Sequence, residues 1–113
     1  MSERDDVVYL ADMLGAVRTA LRYMHGRSRS DLDADEMLRD AVVRQLEVLG
    51  EAAAHVGEAT RLRSVDLPWR GIIGMRNVLI HAYHRVDNDE VWAAVESELP
   101  ALLPTLERLV SGG

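Results

Sequence analysis

WRGIIGMRNVLIHAY, residues Trp69 to Tyr83, is apolar at helical spacing, yet it carries Arg76, Asn77, His81 and Tyr83. On a helix turning roughly 100° per residue, Ile72, Arg76, Leu79 and Tyr83 fall within about 60° of one another, flanked by Ile73 and Ile80. A helix that serves only to fill a core has no need of that polar set. Arg76 lies on or beside the apolar stripe, where an unpaired charge is costly, so it must find a partner, a ligand, or water at an interface edge. Asn77 and His81 sit together one turn apart, more than about 90° round from Arg76. Two readings stand side by side. Arg76 caps a helix and pairs with an acid such as Glu51, with His81 merely near the helix end; or the polar residues form a site.

Working outward, Pro68 can occupy the first turn of this helix, where its missing N–H is not needed, and the helix should run to about His84 or Arg85. Asp87 or Asn88 then caps a last helix, with Asp89 and Glu90 in its first turn. Trp92, Val95, Leu99, Leu102, Leu106 and Leu109 give that helix a seam, and Pro100 and Pro104 predict a kink or break near Glu98. On the N-terminal side, Gly57 to Leu67 reads as a connector with one short helical turn. A helix from about Asp33 to Val56 precedes it, capped by Asp33 with Glu36 as capping-box partner. Its two apolar rows predict burial on two sides, the second against another subunit. Gly50, Ala54 and Gly57 make a small-residue strip on it, against which Gly71 and Gly74 would let the Trp69 helix press. Glu51 and His55, one turn apart, form a polar pair. A first helix, about Asp5 to His25, carries the seam Val7, Leu10, Leu14, Val17, Leu21 and Met24; Gly26 stops it and GRSRSD follows as a loop. The expected fold is all-α, an up-and-down bundle of four main helices plus a short connector helix, in one domain over residues 1–113.

Composition agrees with this. The 113 residues suit one core, and with no Phe, two Trp and three Tyr that core must be aliphatic, which favours helix packing. The absence of cysteine removes disulfides, thiol catalysis and thiolate metal sites. No apolar run approaches the roughly 20 residues of a membrane span, and the acidic start MSERDDVVYL does not read as a signal peptide. A cytoplasmic protein without membrane association is expected. The net charge of −6 is unevenly spread. Arg18, Arg22, Arg27 and Arg29 have no acid among them, and Arg61 to Arg85 holds five arginines against Asp66 alone. Either these are solvated faces, or a positive groove on an acidic body keeps an anionic ligand in play.

The spacing in RNVLIHAY has the form Arg-x4-His-x-Tyr, followed at once by HRVDNDEVW. With LGEAA at Leu49 to Ala53, PWRGIIGMRN at Pro68 to Asn77 and LIHAY at Leu79 to Tyr83, the chain closely resembles the HEPN superfamily, and within it the HepT-like toxins of the HepT/MntA (type VII) toxin–antitoxin class. The resemblance covers most of the chain. It implies a metal-independent endoribonuclease acting as a homodimer, with the cleft at the dimer interface. Arg76 and His81 would be catalytic, Asn77 would support them, and Tyr83 would receive AMP from the antitoxin partner, an MntA-like minimal nucleotidyltransferase that silences the toxin. The partners implied are therefore RNA, that antitoxin and a second copy, with a larger toxin–antitoxin complex as the assembly. No cofactor and no metal are implied.

The chemistry of the residues is compatible with this. Cleavage through the 2′-hydroxyl needs a group that moves protons near neutral pH, which histidine supplies. It also needs a cation for the phosphorane charge, which the planar arginine fork supplies. The angular gap between Arg76 and His81 points to a site completed by two subunits. Glu51 could orient Arg76 or His81, or form a plain structural ion pair. His55 and His84 read as surface or interface histidines, Tyr9 and Tyr23 as packing residues, and Trp69 and Trp92 as core or interface anchors. The alternative function, from another class, is a non-catalytic helical module that binds a nucleotide or a partner; a purely structural dimerisation bundle is a third.

Overall fold

The computed structural model describes residues 3–75, 77 and 85–112. Arg76, His81 and Tyr83, with the C-terminal part of the expected Trp69 helix, lie outside the described residues. Among those described, the chain is an all-α helical bundle without a strand, as the periodicities require.

Two long helices, α1 (Glu3–Met24) and α3 (Glu36–His55), pack along their lengths. Leu10, Met13, Leu14, Val17 and Ala20 of α1 meet Val42, Val43, Leu46, Leu49 and Ala53 of α3 in one buried core. Val7, expected in the seam, is 50% exposed; the neighbouring Asp6 turns inward instead. The C-terminal helix closes the core against α1. It begins as α6 (Asn88–Ala93), passes through a π-helical turn at Ala94–Glu98, and continues as α7 (Leu99–Val110). The break expected near Glu98 is that π turn. The N–H of Leu99 reaches back five residues to the carbonyl of Ala94, which accommodates Pro100, a residue with no N–H of its own. Asp87 caps α6, its carboxylate accepting from the N–H groups of Asp89 and Glu90 at 3.0 and 3.2 Å.

The sequence GRSRSD is not a plain loop. Gly26 does turn the chain at φ +74, but Arg29–Ala34 then forms a short helix, α2. The N–H of Ser28 donates to the Asp31 carboxylate at 2.7 Å across its first turn. Asp33 therefore does not cap the second long helix. Asp35 does, accepting from the Leu38 N–H at 3.0 Å. Asp33 is drawn away by Asn88 Nδ2 at 2.8 Å and by Arg29, which also holds Asp89. These contacts bind α2 to the start of α6.

After α3 comes the expected short connector helix, α4 (Glu58–Leu62). Asp6, only 4% exposed, accepts from Thr60 Oγ1 at 2.6 Å and from the Gly57 N–H at 3.0 Å, fixing α4 against α1. Pro68 then stands as the N-cap of α5 (Trp69–Ile73), one residue earlier than predicted. No helix among the described residues is long and apolar enough to cross a membrane.

Candidate active site

The described residues that lead into the motif are positioned where α5 meets α3. Gly50 has no side chain, and a Cβ placed there would lie 2.9 Å from the carbonyl oxygen of Ile72. The backbone of α5 therefore rests directly on α3 at that point. Only Gly50 of the small-residue strip works this way. A Cβ on Gly57 would face Asp6, and one on Gly71 would meet nothing within 4 Å.

The other end of α5 is tied to the C-terminus of α3. Arg61 donates to the carbonyls of Val56, Ala53 and Ala54 at 3.0, 3.2 and 3.0 Å, covering acceptors the helix end leaves open. Its guanidinium carbon also stands 5.9 Å from the ring centre of Trp69. Trp69 is buried and donates from Nε1 to the Ser64 carbonyl at 2.9 Å, so the core-anchor reading of this tryptophan holds. α5 is thus pinned at Trp69 and at Ile72. It ends at Ile73 with Gly74 as C-cap, a turn that interrupts the single helix expected from Trp69 onward. Met75 and Asn77 are helical again; Met75 is buried and Asn77 exposed, its N–H bonded to the Gly74 carbonyl at 3.0 Å.

Beside this junction runs a groove of about 300 Å³ lined by Arg44, Glu47, Gly50, Glu51, Ala54 and Ile73. A second cavity, of about 250 Å³, lies between α1 and α3 and shares Arg44 and Glu51 with the first; Tyr9, Asp12, Val48 and His55 complete much of its wall. Glu51 is exposed and makes no hydrogen bond or ion pair with any described residue. The Glu51–His55 pair is not formed: the His55 ring stacks on Tyr9, centroids 5.0 Å apart and planes 17° from parallel. Of the expected site residues the structure thus describes Glu51, on the groove wall, and Asn77, exposed four residues after Ile73; Arg76, His81 and Tyr83 fall outside. Arg44 went unremarked in the sequence. Its signal was the spacing Arg44, Val48, Glu51, His55, which puts four residues on one side of α3.

A larger cavity of about 420 Å³, floored by Asp6, Thr60 and Ser64, lies at the α4 end of α1. Its polar floor serves the attachment of α4. Hydrogen bonding from Thr60, opposed by burial and aided by the Gly57 N–H, holds the Asp6 carboxyl below its ordinary range.

Arg18, Arg27 and Arg29 are ion-paired with Glu107, with Asp31 and Asp35, and with Asp33 and Asp89, while the exposed Arg22 lies over the Tyr23 ring at 5.7 Å, so three of the four arginines in the first cluster are paired within the chain. The second apolar row of α3, Ala41, Val48 and Ala52, is only partly covered within this chain. Ala52 is buried, Ala41 and Val48 are half-buried, and the outer ridge at Asp40, Arg44, Glu51 and His55 is polar.

The architecture so defined is a small helical bundle whose polar groove reaches Ile73, three residues before Arg76 in the sequence. A model of the Ribonuclease HepT-like family matches residues 13–109, and the chain belongs to that family. A protein of Methanocaldococcus jannaschii provisionally named an RNase is 30% identical over 107 residues, covering 95% of this chain and 98% of the relative. The probable ribonuclease HepT of Thermococcus cleftensis is 32% identical over 101 residues, 89% of this chain and 92% of that protein. A provisionally named RNase of Caldanaerobacter subterraneus is 34% identical over 94 residues, 83% of this chain and 84% of the relative. No solved structure matches the chain significantly.

Proposed function

We propose that this chain is the toxin of a toxin–antitoxin pair, a metal-independent endoribonuclease that cuts RNA through Arg76 and His81. The observation that carries this reading is family membership over residues 13–109, a span that contains the entire Arg-x4-His-x-Tyr motif. His81 takes the proton from a ribose 2′-hydroxyl, whose oxygen attacks the adjacent phosphorus. Arg76 meets the charge on the phosphorane oxygens. The bond to the 5′-oxygen breaks, that oxygen gains a proton, and a 2′,3′-cyclic phosphate and a 5′-hydroxyl remain. Asn77 and Glu51 support the pair, Glu51 from the groove wall and without a competing partner among the described residues.

The site is completed across a homodimer. Support comes from the angular separation that a regular helix would give Arg76 and His81 and from the position of the groove on an exposed polar ridge of α3 rather than within the bundle. An MntA-like minimal nucleotidyltransferase antitoxin transfers AMP to Tyr83. The added phosphate stands near Arg76 and pairs with it, blocking the groove without refolding. The setting is cytoplasmic and the domain is one unit over residues 1–113.

The alternative is a non-catalytic nucleotide- or partner-binding module that uses the same groove. RNA incubated in chelator with wild type, Arg76→Ala and His81→Ala separates the two. Cleavage by wild type alone supports the nuclease; equally little cleavage by all three leaves the binding module. A Tyr83→Phe chain that the partner still silenced by AMP transfer would rule out Tyr83 as the switch.

A further inference from the structure

We propose that the cavity between α1 and α3 is a nucleobase subsite of the RNA groove, taking a base rich in N–H donors, guanine above all. The inference rests on the ribonuclease reading and adds to it a sequence preference. Tyr9 is half-buried against the core, and the exposed His55 ring lies on it at 5.0 Å and 17°. A ring anchored from below and accessible above is a prebuilt stacking platform, and stacking is how proteins hold unpaired bases.

The walls select what can stack there. Asp12, Glu51 and Arg44 line the cavity, and none makes a hydrogen bond or ion pair with a described residue. Two carboxylates against one guanidinium repel phosphate, so the group that enters is the base. Carboxylates only accept hydrogen bonds, so the base must donate. Guanine offers adjacent N1–H and N2–H donors to a carboxylate and O6 to an arginine. Uracil offers one N–H between two carbonyls. Arg44, the arginine that would donate to O6, also lines the adjoining groove and so ties the base subsite to it.

The test has two arms, both on the full chain. In the first, GMP and UMP are titrated while the aromatic NMR signals of Tyr9 and His55 are followed. GMP should shift both rings and UMP should not, and Asp12→Asn should weaken the GMP response several-fold. Silent rings, or equal responses to both nucleotides, overturn the proposal. In the second, cleavage sites are mapped on mixed-sequence RNA. Wild type should cut at a fixed register from guanosines. His55→Ala should cut there roughly tenfold less, the scale of one lost base–aromatic stack, and His55→Tyr should restore the preference. An unchanged map in His55→Ala overturns the subsite while the nuclease reading stands. Absence of cleavage by wild type removes the nuclease reading, and the GMP titration then decides the base site by itself.

Discussion

Gly50 and Ile72 are in backbone contact: a Cβ on the glycine would stand 2.9 Å from the isoleucine carbonyl oxygen, closer than real Cβ contacts come. Two opposing effects act on Gly50→Ala. Alanine gains about 1 kcal/mol of helix propensity over glycine. The clash is with backbone rather than a flexible tip, so α5 must move as a unit, an overpacking cost of about 1–3 kcal/mol. Net destabilisation of about 1 kcal/mol is expected by chemical denaturation, with RNA cleavage reduced beyond what the unfolded fraction explains. A variant as stable and as active as wild type would show that this contact does not position the motif segment.

Arg61 holds α5 from the other side. Arg61→Ala removes three guanidinium–carbonyl hydrogen bonds at the end of α3 and the cation over Trp69. A loss of about 1–2 kcal/mol is expected. Arg61→Lys keeps the charge but not the fork, so it should recover less than half of that loss. Thermal melts of the three proteins check the order.

Stability should fall in acid, with Asp6 contributing. Its folded carboxyl titrates below the ordinary aspartate value of 3.8, because Thr60 and the Gly57 N–H bond the ionised form. Between the two values the unfolded chain binds a proton that the folded chain does not, so folding weakens as pH drops through that window. Asp33, Asp35 and Asp66 shift the same way, chiefly through hydrogen bonds from Asn88, the Leu38 N–H and Thr105 respectively. Denaturation midpoints should therefore decline between about pH 5 and pH 3. Asp6→Asn should be less stable at pH 7 and flatter in acid; an unchanged slope would mean that Asp6 carries none of it.

Thr60→Val tests the same joint at neutral pH. The exchange leaves the buried Asp6 carboxylate short of its 2.6 Å donor at nearly constant volume, a cost of about 1–3 kcal/mol. Local hydrogen exchange in α4 should rise with it. Exchange unchanged in α4 would mean that Asp6 is held well enough by the Gly57 N–H alone.

The long helices were legible because burial on one side writes a period into the sequence. α1, α3 and the α6–α7 helix follow their Leu, Val and Ala spacings, and Pro100 announced the π turn. α2 was not legible. It has only six residues and leans on Arg29–Asp89 and Asn88–Asp33 contacts made across the fold. Asp33 and Asp35 both precede α3, and the pull of Asn88 and Arg29 on Asp33 decides which one caps it. Arginine runs left solvated faces and a positive groove both open, because charges can be counted in a sequence while their partners cannot. The same limit applies at the site. Arg76, His81 and Tyr83 stand out by their spacing within one segment, whereas the Tyr9–His55 stack joins two helices and leaves no local mark.

The most direct test is single-turnover cleavage of a short labelled RNA in excess chelator, with both product ends identified. The nuclease account predicts a 2′,3′-cyclic phosphate and a 5′-hydroxyl from wild type, with cleavage lowered by about 10²–10⁴-fold in His81→Ala and comparably in Arg76→Ala. No cleavage by wild type, or the same rate in all three proteins, would contradict it.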